Sequence, residues 1–423
     1  MSNLDLSSVR AQFPALQQKD ENGRPYVFFD GPGGTQVPQA VIDAIVLYYT
    51  QANSNAHGNF LYSARTDATV AAARAALADF LNAPSPQEII FGPSMTNLTF
   101  NLSRAIGAHL QAGDEIIVTR LDHDANVSPW LALRERGVVI KYIDLDIEDC
   151  TLDLAHFKSL LSPKTKLVAV GYASNAVGTI NPVKEIAATA HEVGARVWID
   201  AVHYAPHGPI DVQAIDCDFL VCSVYKFFGP HLGVVWGRYD LLDALPAYKV
   251  RPAGDSPPDK FETGTGNFEG MAGATAAINY LASLGDQFGA PFEAQYTGAG
   301  FSGRRLALKK AMTAIASYER TLLAQLVEGL MAIPGVRIYG ISDKAQFHRR
   351  APTIAFTREG LETASIAKIL GENGIFVWDG HYYALEVVKR LGLYDRGGMV
   401  RVGIIHYNTA AEVDRLLAVV RAL

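Results

Sequence analysis

Residues 197–230 read VWIDAVHYAPHGPIDVQAIDCDFLVCSVYKFFGP, and two short apolar runs within them, Val197–Asp200 and Phe219–Ser223, are typical of buried strands. The first run ends in the carboxylate of Asp200, and Lys226 follows the second run within a few residues. Because the carboxyl ends of parallel strands meet at one sheet edge, where ligands bind, the stretch predicts an α/β fold with these two side chains close together.

Similar short runs lie on both sides of this stretch, and segments with helical spacing separate them. The further predicted strands are Glu88–Phe91, Glu115–Val118, Val138–Ile143, Leu167–Val170 and Val234–Trp236. The predicted helices between them are Asn97–Ala108, Ser128–Glu135, Leu154–Leu161 and Val183–Val193. This alternation predicts a mostly parallel sheet that is buried on both faces.

The pattern changes past about residue 290, where alternating strands give way to one long helical stretch followed by scattered short runs. The elements predicted there are a helix at Arg304–Ile333 and strands at Val336–Tyr339, Thr353–Phe356, Ile375–Val377 and Val400–Ile404. Thr409 and Glu412 form a capping box before a final helix. We therefore expect a large domain at 26–290 and a small C-terminal α+β domain at 291–423, with residues 1–25 packed on the small domain.

Composition narrows the class of protein. The 423 residues carry 37 Lys+Arg and 43 Asp+Glu, a net charge of −6, so no basic excess favours nucleic acid or an anionic membrane as partner. No apolar run approaches the roughly 20 residues of a membrane helix, and the first residues do not resemble a signal peptide. The 3 cysteines match neither a disulfide framework nor a metal site, so we expect a cytoplasmic protein without a metal.

Two side chains at the predicted sheet edge have a specific chemistry. Lys226 lies between an apolar strand and a Phe-Phe-Gly-Pro turn, and poor hydration there favours the neutral amine that a Schiff base requires. A carboxylate such as Asp200 keeps a heteroaromatic nitrogen protonated, as in pyridoxal phosphate enzymes. Each residue alone also fits a simpler role. Lys226 could extend its amine to solvent, and Asp200 could cap a helix.

The order of four motifs extends this interpretation to a family. The motifs are Asp122-His123-Asp124-Ala125-Asn126, Ser174-Asn175-Ala176-Val177-Gly178-Thr179, Asp200-Ala201-Val202-His203 and Ser223-Val224-Tyr225-Lys226. From about Tyr26 to the C-terminus the chain resembles the class V aminotransferase family of fold type I pyridoxal phosphate enzymes, and within it the cysteine desulfurase-like group. The resemblance implies pyridoxal 5'-phosphate as cofactor, an amino-acid substrate and a homodimer.

The resemblance also implies roles for single residues around the cofactor ring. Lys226 corresponds to the Schiff-base lysine and Asp200 to the partner of the pyridinium nitrogen. His123 corresponds to the histidine that stacks on the ring and relays protons, and Asn175 to the side chain that bonds the phenolic oxygen. His203 stands where many desulfurases have glutamine, and a histidine there would ordinarily titrate near neutral pH.

The cofactor phosphate requires its own partners. Met95 and Thr96 open a helix directly after a predicted strand, where backbone N–H groups and the helix dipole favour an anion, although an ordinary helix cap explains the same residues. Ser223 and Tyr225 flank the lysine and join the predicted cofactor site. Thr265 lies in a segment similar to the family's Glu-x-Gly-Thr element, which implies that it reaches the phosphate of the partner subunit and that active sites are shared.

The substrate side of the site shows both agreement with the family and one departure. Arg401 matches the arginine that binds the substrate carboxylate, although a structural ion pair is a competing role. Residues 379–384 resemble the segment Thr-Gly-His-His-Cys-Ala, with Tyr383 in the place of the catalytic cysteine and His381 as a candidate substrate contact. We expect Trp378 and Tyr382 to line the same end of the pocket.

A phenol cannot form the persulfide of the desulfurase reaction, so the sequence favours chemistry without an enzymic thiol. The preferred hypothesis is a carbon–sulfur lyase that removes the β-substituent of a cysteine-like amino acid, with Lys226, His123 and Tyr383 as catalytic residues. A transaminase, a racemase or a desulfinase- or desulfurase-type enzyme is the alternative. A further alternative is a catalytically silent scaffold protein that retains the fold.

Overall fold

In the computed structural model, which describes residues 5–423, short strands alternate with helices over most of the chain. The strands are β1 Val27–Phe28, β2 Ile89–Gly92, β3 Glu115–Thr119, β4 Val139–Ile143, β5 Thr165–Gly171, β6 Arg196–Asp200, β7 Phe219–Ser223, β8 Gly233–Gly237, β9 Val336–Tyr339, β10 Thr353–Arg358, β11 Ile375–Phe376, β12 Trp378–Gly380 and β13 Met399–Gly403.

The helices cover both faces of the larger sheet and one side of the smaller one. They are α1 Leu6–Ala11, α2 Gln39–Gln51, α3 Leu61–Leu81, α4 Met95–Gly107, α5 Ser128–Leu131, α6 Leu154–Leu160, α7 Val183–His191, α8 Val212–Ile215, α9 Tyr239–Ala244, α10 Phe268–Phe288, α11 Glu293–Thr297, α12 Gly303–Met331, α13 Thr363–Glu372, α14 Leu385–Arg390 and α15 Ala410–Ala422. No helix in this range combines the length and apolarity needed to cross a bilayer.

The large sheet has seven strands in the order β2-β8-β7-β6-β5-β3-β4. Strands β3 to β7 run parallel, and β8 is antiparallel to both of its neighbours. The predicted α/β fold with a mostly parallel mixed sheet is confirmed. The carboxyl ends of β3, β5, β6 and β7 therefore meet at one edge, and β2 ends at the same edge.

Side-chain alternation explains why both faces of this sheet are buried. On β6, Val197 and Ile199 join one hydrophobic cluster, and Trp198 joins the cluster on the opposite face. On β7, Leu220 joins the first cluster and Phe219 joins the cluster on the opposite face. Parallel strands covered by helices on both faces need apolar residues at successive positions. This explains why the strands appear in the sequence as uninterrupted apolar runs.

A smaller antiparallel sheet follows, with the strand order β12-β13-β10-β9. The predicted run at Ile375–Val377 forms the short strand β11, which pairs with β1 outside this sheet. The adjacent segment Trp378–Gly380 supplies the edge strand β12 instead. The predicted helix at Ser128–Glu135 is also wrong in part, since only Ser128–Leu131 is α-helical and a 3-10 turn continues to Arg136.

Helix α12 and the N-terminal segment contact both structural units. The first half of α12 packs in the core of the large sheet through residues such as Ile315, and its second half packs in the small-sheet core through Leu326. Arg10 pairs with Glu412 at 2.9 Å, while Phe13 meets the ring of Phe228 edge-on at 6.1 Å. The division at residues 25 and 290 stays a prediction.

Candidate active site

A cavity of about 500 Å³ opens at the carboxyl edge of the large sheet, where the small sheet closes over it. All predicted site residues except Thr265 line it, and Thr265 is exposed elsewhere on the surface. The predicted residues that the fold brings together are Met95, Thr96, His123, Asn175, Asp200, His203, Ser223, Tyr225, Lys226, His381, Tyr383 and Arg401.

Lys226 ends the 3-10 turn that follows β7, so its side chain enters the cavity from the floor. Its Nζ donates a hydrogen bond to the carbonyl oxygen of Pro32 and lies 4.8 Å from the ring centroid of Tyr225. The pKa of Lys226 is lowered to about 7, mainly by burial and also by the charge of Arg401, against the opposing effect of Asp200 and Asp30. The amine is therefore half neutral near pH 7, as a nucleophile requires.

Asp200 is the last residue of β6, and its carboxylate lines the same cavity. Its Oδ1 accepts a hydrogen bond of 2.8 Å from the backbone N–H of Val202. Burial raises the pKa of Asp200 to about 7, and the neighbouring Asp122 adds to that rise. A buried carboxylate with so few partners is stabilised by a protonated nitrogen placed against it.

His123 follows β3 and is held in one protonation state by its own loop. Its Nδ1 accepts the backbone N–H of Ala125 at 3.0 Å, so the proton of the neutral ring resides on Nε2. Burial lowers the pKa of His123 to about 4, and the charges of Lys226 and Arg401 act in the same direction. A neutral, fixed imidazole suits a stacking role, and its ring lies 5.5 Å from that of Tyr383 at an angle of 26°.

Asp122, next to His123, fixes the start of this loop. Its carboxylate accepts from Thr119 Oγ1 at 2.8 Å, from the backbone N–H of Gly171 at 2.9 Å and from Asn126 Nδ2 at 2.8 Å. These bonds join the ends of β3 and β5 beneath the cavity. The position of His123 therefore depends on the buried carboxylate of Asp122. This residue is part of the sequence motif, but the sequence assigned it no role.

Asn175 and Arg401 form the opposite wall, and each has an unused polar atom. Asn175 Nδ2 donates to the carbonyl of Tyr382 at 2.9 Å, which leaves its buried Oδ1 without a partner. Arg401 donates to the carbonyl of Asn175 at 2.9 Å and stacks 4.3 Å above the ring of Tyr382, while its Nε has no partner. Among residues 5–423, Arg401 makes no ion pair, so a structural salt bridge does not explain this buried cation.

The N-terminus of α4 faces the cavity through Ser94, Met95 and Thr96. Ser94 Oγ caps the helix by accepting the backbone N–H of Asn97 at 3.1 Å. A Cβ at Gly233 on the neighbouring β8 would lie 2.4 Å from the backbone nitrogen of Met95, so this close approach of strand and helix requires glycine. Free N–H groups and the helix dipole make such an end a suitable place for a phosphate.

His203 differs from the expectation for a histidine at its position. Its Nε2 lies 3.0 Å from Thr353 Oγ1, and its ring centroid lies 5.3 Å from that of His207. Burial lowers the pKa of His203 well below its usual value, and His207 acts in the same direction. The ring stays neutral near pH 7, so the neutral-pH titration expected from the sequence is wrong for this site.

The segment after β1 also contributes to the cavity, and it was not among the site residues predicted from the sequence. Pro32 and Gly33 line the cavity, and the half-buried Asp30 sits below them with an unpaired Oδ1 and a pKa that burial raises to about 6. The signal available was the turn-forming run Asp-Gly-Pro-Gly-Gly at 30–34. Nothing local in that run indicates that it reaches Lys226.

These groups fit pyridoxal 5'-phosphate as a set. Lys226 offers an amine, Asp200 a carboxylate without a cationic partner, Asn175 a free amide oxygen, and the start of α4 an anion site. No group of three or more His, Cys, Asp or Glu side chains within the described part of the chain could hold a metal ion.

Comparison with known proteins agrees with this assignment. The family model for Aminotransferase class-V matches residues 27–297 and 289–416. A probable cysteine desulfurase of Synechocystis sp. is 35% identical, with 98% of this chain and 95% of that protein covered. A probable cysteine desulfurase of Mycolicibacterium paratuberculosis is also 35% identical, but the chain spans 58% of its length.

Among solved structures, the apo cysteine desulfurase of Thermococcus onnurineus NA1 superposes with a TM-score of 0.86 at 26% identity, covering 100% of this chain and 99% of that one. This similarity confirms the predicted fold type I architecture.

Proposed function

Since the chain belongs to the class V aminotransferase family of pyridoxal 5'-phosphate enzymes, we propose that it is a carbon–sulfur lyase that eliminates the β-substituent of a cysteine-like amino acid. One observation carries the proposal. Tyr383, in the segment that resembles the desulfurase cysteine loop, lines the cavity, and no cysteine lines it. Without a thiolate to accept the sulfur, we favour a reaction in which the sulfur leaves together with its own substituent.

The state of the three cysteines supports this conclusion. Cys150, Cys217 and Cys222 are all buried. Burial raises the pKa of Cys150 to about 11 and raises the pKa of the other two thiols further. Thiols in such surroundings are inert, because the thiolate is the nucleophilic form.

Pyridoxal phosphate, when bound, supplies the electron sink that acidifies the substrate Cα–H. Lys226, with its pKa near 7, accepts that proton. Arg401 binds the α-carboxylate with the donor that the protein leaves unpaired. The neutral ring of His123 covers the site and keeps its Nε2–H available as a donor.

Departure of the sulfur completes the reaction. The Cβ–S bond breaks with its electron pair on sulfur, and the hydroxyl of Tyr383 protonates the leaving thiolate. Hydrolysis of the remaining enamine gives pyruvate and ammonium. The balance is one cysteine thioether plus one water giving one thiol, one pyruvate and one ammonium, so no external oxidant, reductant or sulfur acceptor is needed.

The proposed enzyme is a homodimer with shared sites. Thr265 is exposed and does not line the cavity of its own chain, although its segment resembles a phosphate-binding element. It lies just before α10, whose residues Phe268 and Glu269 contact Tyr48 and Tyr49 of α2. The outer face of α2 is apolar and exposed, which suits contact with a second copy.

Product identification tests the proposed reaction. Purified holoenzyme is incubated with L-cysteine, S-methyl-L-cysteine and L-cysteine sulfinate, and pyruvate, ammonium, thiol and alanine are quantified. We expect equimolar pyruvate and thiol from the thioether. Alanine as the sole product would overturn elimination in favour of desulfurase- or desulfinase-type chemistry. Turnover that requires an added keto acid would indicate a transaminase, and loss of optical activity without thiol release a racemase.

A cysteine-free variant gives the sharper control. Replacing Cys150, Cys217 and Cys222 together by alanine should leave pyruvate formation intact, because none of the three takes part. Loss of activity in a folded, cofactor-loaded triple variant contradicts the proposal. Lys226→Ala should abolish the cofactor absorption band that borohydride reduces in the parent protein. Absence of that band from the parent would favour a silent scaffold.

A further inference from the structure

The mouth of the cavity carries an unusual concentration of exposed aromatic surface, formed by Trp378, His381 and Tyr383 and here named the aromatic rim. Trp378 is 52% exposed and Tyr383 is 68% exposed. The remaining tryptophans of the chain, Trp130, Trp198 and Trp236, are buried. Large rings that stay in solvent beside a ligand cavity are typical of contacts to a ligand rather than to the core.

The backbone holds the Tyr383 ring outward at some cost. Tyr382 and Tyr383 have φ values of 50° and 59°, a left-handed conformation that is unfavourable for bulky residues. Four hydrogen bonds fix this conformation. The carbonyl of Tyr383 accepts from Asp124 N–H at 2.7 Å, and that of Tyr382 accepts from Asn175 Nδ2 at 2.9 Å. Tyr383 N–H donates to His381 Nδ1 at 3.1 Å, and Ala384 N–H donates to the carbonyl of His381 at 2.7 Å. Strain of this kind persists where the side chain position has a use.

Trp378 is fixed relative to the predicted carboxylate contact. It lies directly opposite Arg401 in the antiparallel pair of β12 and β13, so the two side chains emerge on the same face of the sheet. Its indole lies against Gly33, where a Cβ would come within 2.4 Å of Nε1. The glycine therefore allows the ring to lie flat at the rim.

This arrangement separates a polar interior from an aromatic entrance. Lys226 and Arg401 engage Cα and the α-carboxylate of an amino acid inside the cavity. Free cysteine ends at its sulfur, so an extended apolar contact with the rings of Trp378 and Tyr383, which line the mouth of the cavity, requires a substituent on that sulfur. We propose that the substrate is a cysteine thioether with an aryl or arylmethyl group on sulfur, which stacks on the aromatic rim.

This inference rests on the proposed function, and it follows the same balanced reaction with an aromatic thiol as the leaving product. An aryl thiol is also more acidic than an alkyl thiol, so its Cβ–S bond breaks more readily. An arylmethyl thiol lacks this advantage, so its selection depends on stacking alone. Ring stacking adds binding energy beyond the area buried.

Steady-state kinetics with S-phenyl-, S-benzyl- and S-methyl-L-cysteine tests the selection, with β-chloroalanine as a substrate that has no sulfur substituent. We expect kcat/KM for the two aromatic thioethers to exceed that for S-methylcysteine by about tenfold or more, since two ring contacts are gained. Trp378→Ala should reduce this ratio by about 2- to 10-fold, whereas Trp378→Phe should retain most of it. Tyr239→Ala, at an exposed tyrosine outside the cavity, should not change the ratio.

The panel distinguishes two failures. If neither β-chloroalanine nor any thioether yields pyruvate, the proposed function itself is wrong. If S-methylcysteine reacts as well as the aromatic thioethers do, or if β-chloroalanine alone reacts, elimination stands and the aromatic selection is overturned.

A binding measurement gives a readout independent of turnover. Phenylthiopropanoate has the carboxylate and the aryl thioether but no amine, so it cannot react. It should protect the exposed tryptophan from acrylamide quenching, propanoate should not, and Trp378→Phe should remove the protected component. Protection already present without ligand would show that a second copy covers the rim, and would overturn the inference.

Discussion

At the scale of single residues, the cavity is governed by charges that are buried without full compensation. Lys226 faces Arg401, a like charge, and the carboxylates of Asp200 and Asp30 offset only part of the cost of burial. The pKa values of lysine and aspartate are displaced toward each other, to about 7 in both cases. Opposed shifts of this size are characteristic of functional sites.

The displaced pKa of Lys226 leads to a pH prediction for the apoprotein. Because the amine loses its proton near pH 7, its reactivity toward pyridoxal phosphate or trinitrobenzenesulfonate should rise with pH, with a midpoint of about 7, and level off above about pH 8. Asp30→Asn removes a carboxylate that raises the lysine pKa, so the midpoint should move to lower pH. Peptide mapping of the modified lysine measures this, and a midpoint above 9 would contradict the buried environment.

The sequence predicted the site residues that follow directly after strands of the parallel sheet. Lys226 and Asp200 follow neighbouring parallel strands, so their proximity followed from the pattern of apolar runs. Pro32 reaches the same cavity from a turn almost 200 residues away from Lys226. A hydrogen bond to a backbone carbonyl leaves no pattern in the sequence, so this contact was not predictable.

At the scale of elements, the loop after β6 is anchored to α12. His207 Nδ1 and Glu319 Oε2 lie 2.9 Å apart, and both side chains are almost completely buried. His207 packs against His203, which lines the cavity. The long helix, which itself packs in both cores, therefore supports one wall of the active site.

Removing one member of this pair should be costly. Glu319→Ala is expected to lower the free energy of unfolding by about 3–5 kcal/mol, because it leaves His207 buried without its partner. Denaturant titration measures the change. Glu328→Ala provides the matched control on the same helix, since its pair with Lys344 is exposed and should be worth less than about 1 kcal/mol. Equal effects of the two substitutions would refute a supporting role for the buried pair.

Elements were predictable where periodicity is strong. The strands of the large sheet appeared as apolar runs because both faces are covered, and the capping box at Thr409 and Glu412 marked α15. Strand β12 did not appear, because Trp378-Asp379-Gly380 is short and polar and pairs on one side only. Helix α10 is buried on several sides and rich in Ala and Gly, so its sequence lacks an amphipathic stripe.

At the scale of the whole molecule, one surface is unlike the rest. On α2, Val46 is 55% exposed, Leu47 53% and Tyr49 51%, and Phe60 and Leu61 at the start of α3 are also exposed. Helices α2 and α3 are joined through Tyr48 and Thr66, whose hydroxyls lie 3.1 Å apart. The exposed rings and aliphatic side chains therefore occupy neighbouring elements, as expected of an interface between copies of the chain.

The proposed sharing of active sites between subunits makes a strong prediction for mixed dimers. Lys226→Ala and Thr265→Ala are each expected to be nearly inactive as pure proteins, the first without its amine and the second with a weakened phosphate contact. After mixing, unfolding and refolding together, half of the dimers are hybrids, and each hybrid contains one site with both residues intact. Activity should recover to about a quarter of the parent value by statistical assembly.

The recovery has to depend on the interface. Val46→Glu in both chains places a charge that the contact would bury, so the protein should sediment as a monomer and complementation should disappear. Val139→Glu, an equally simple change at an exposed valine on the edge strand β4, should preserve both the dimer and the complementation. If mixing restores nothing while the parent sediments as a dimer, each site is complete within one chain, and Thr265 has no role at the partner's phosphate.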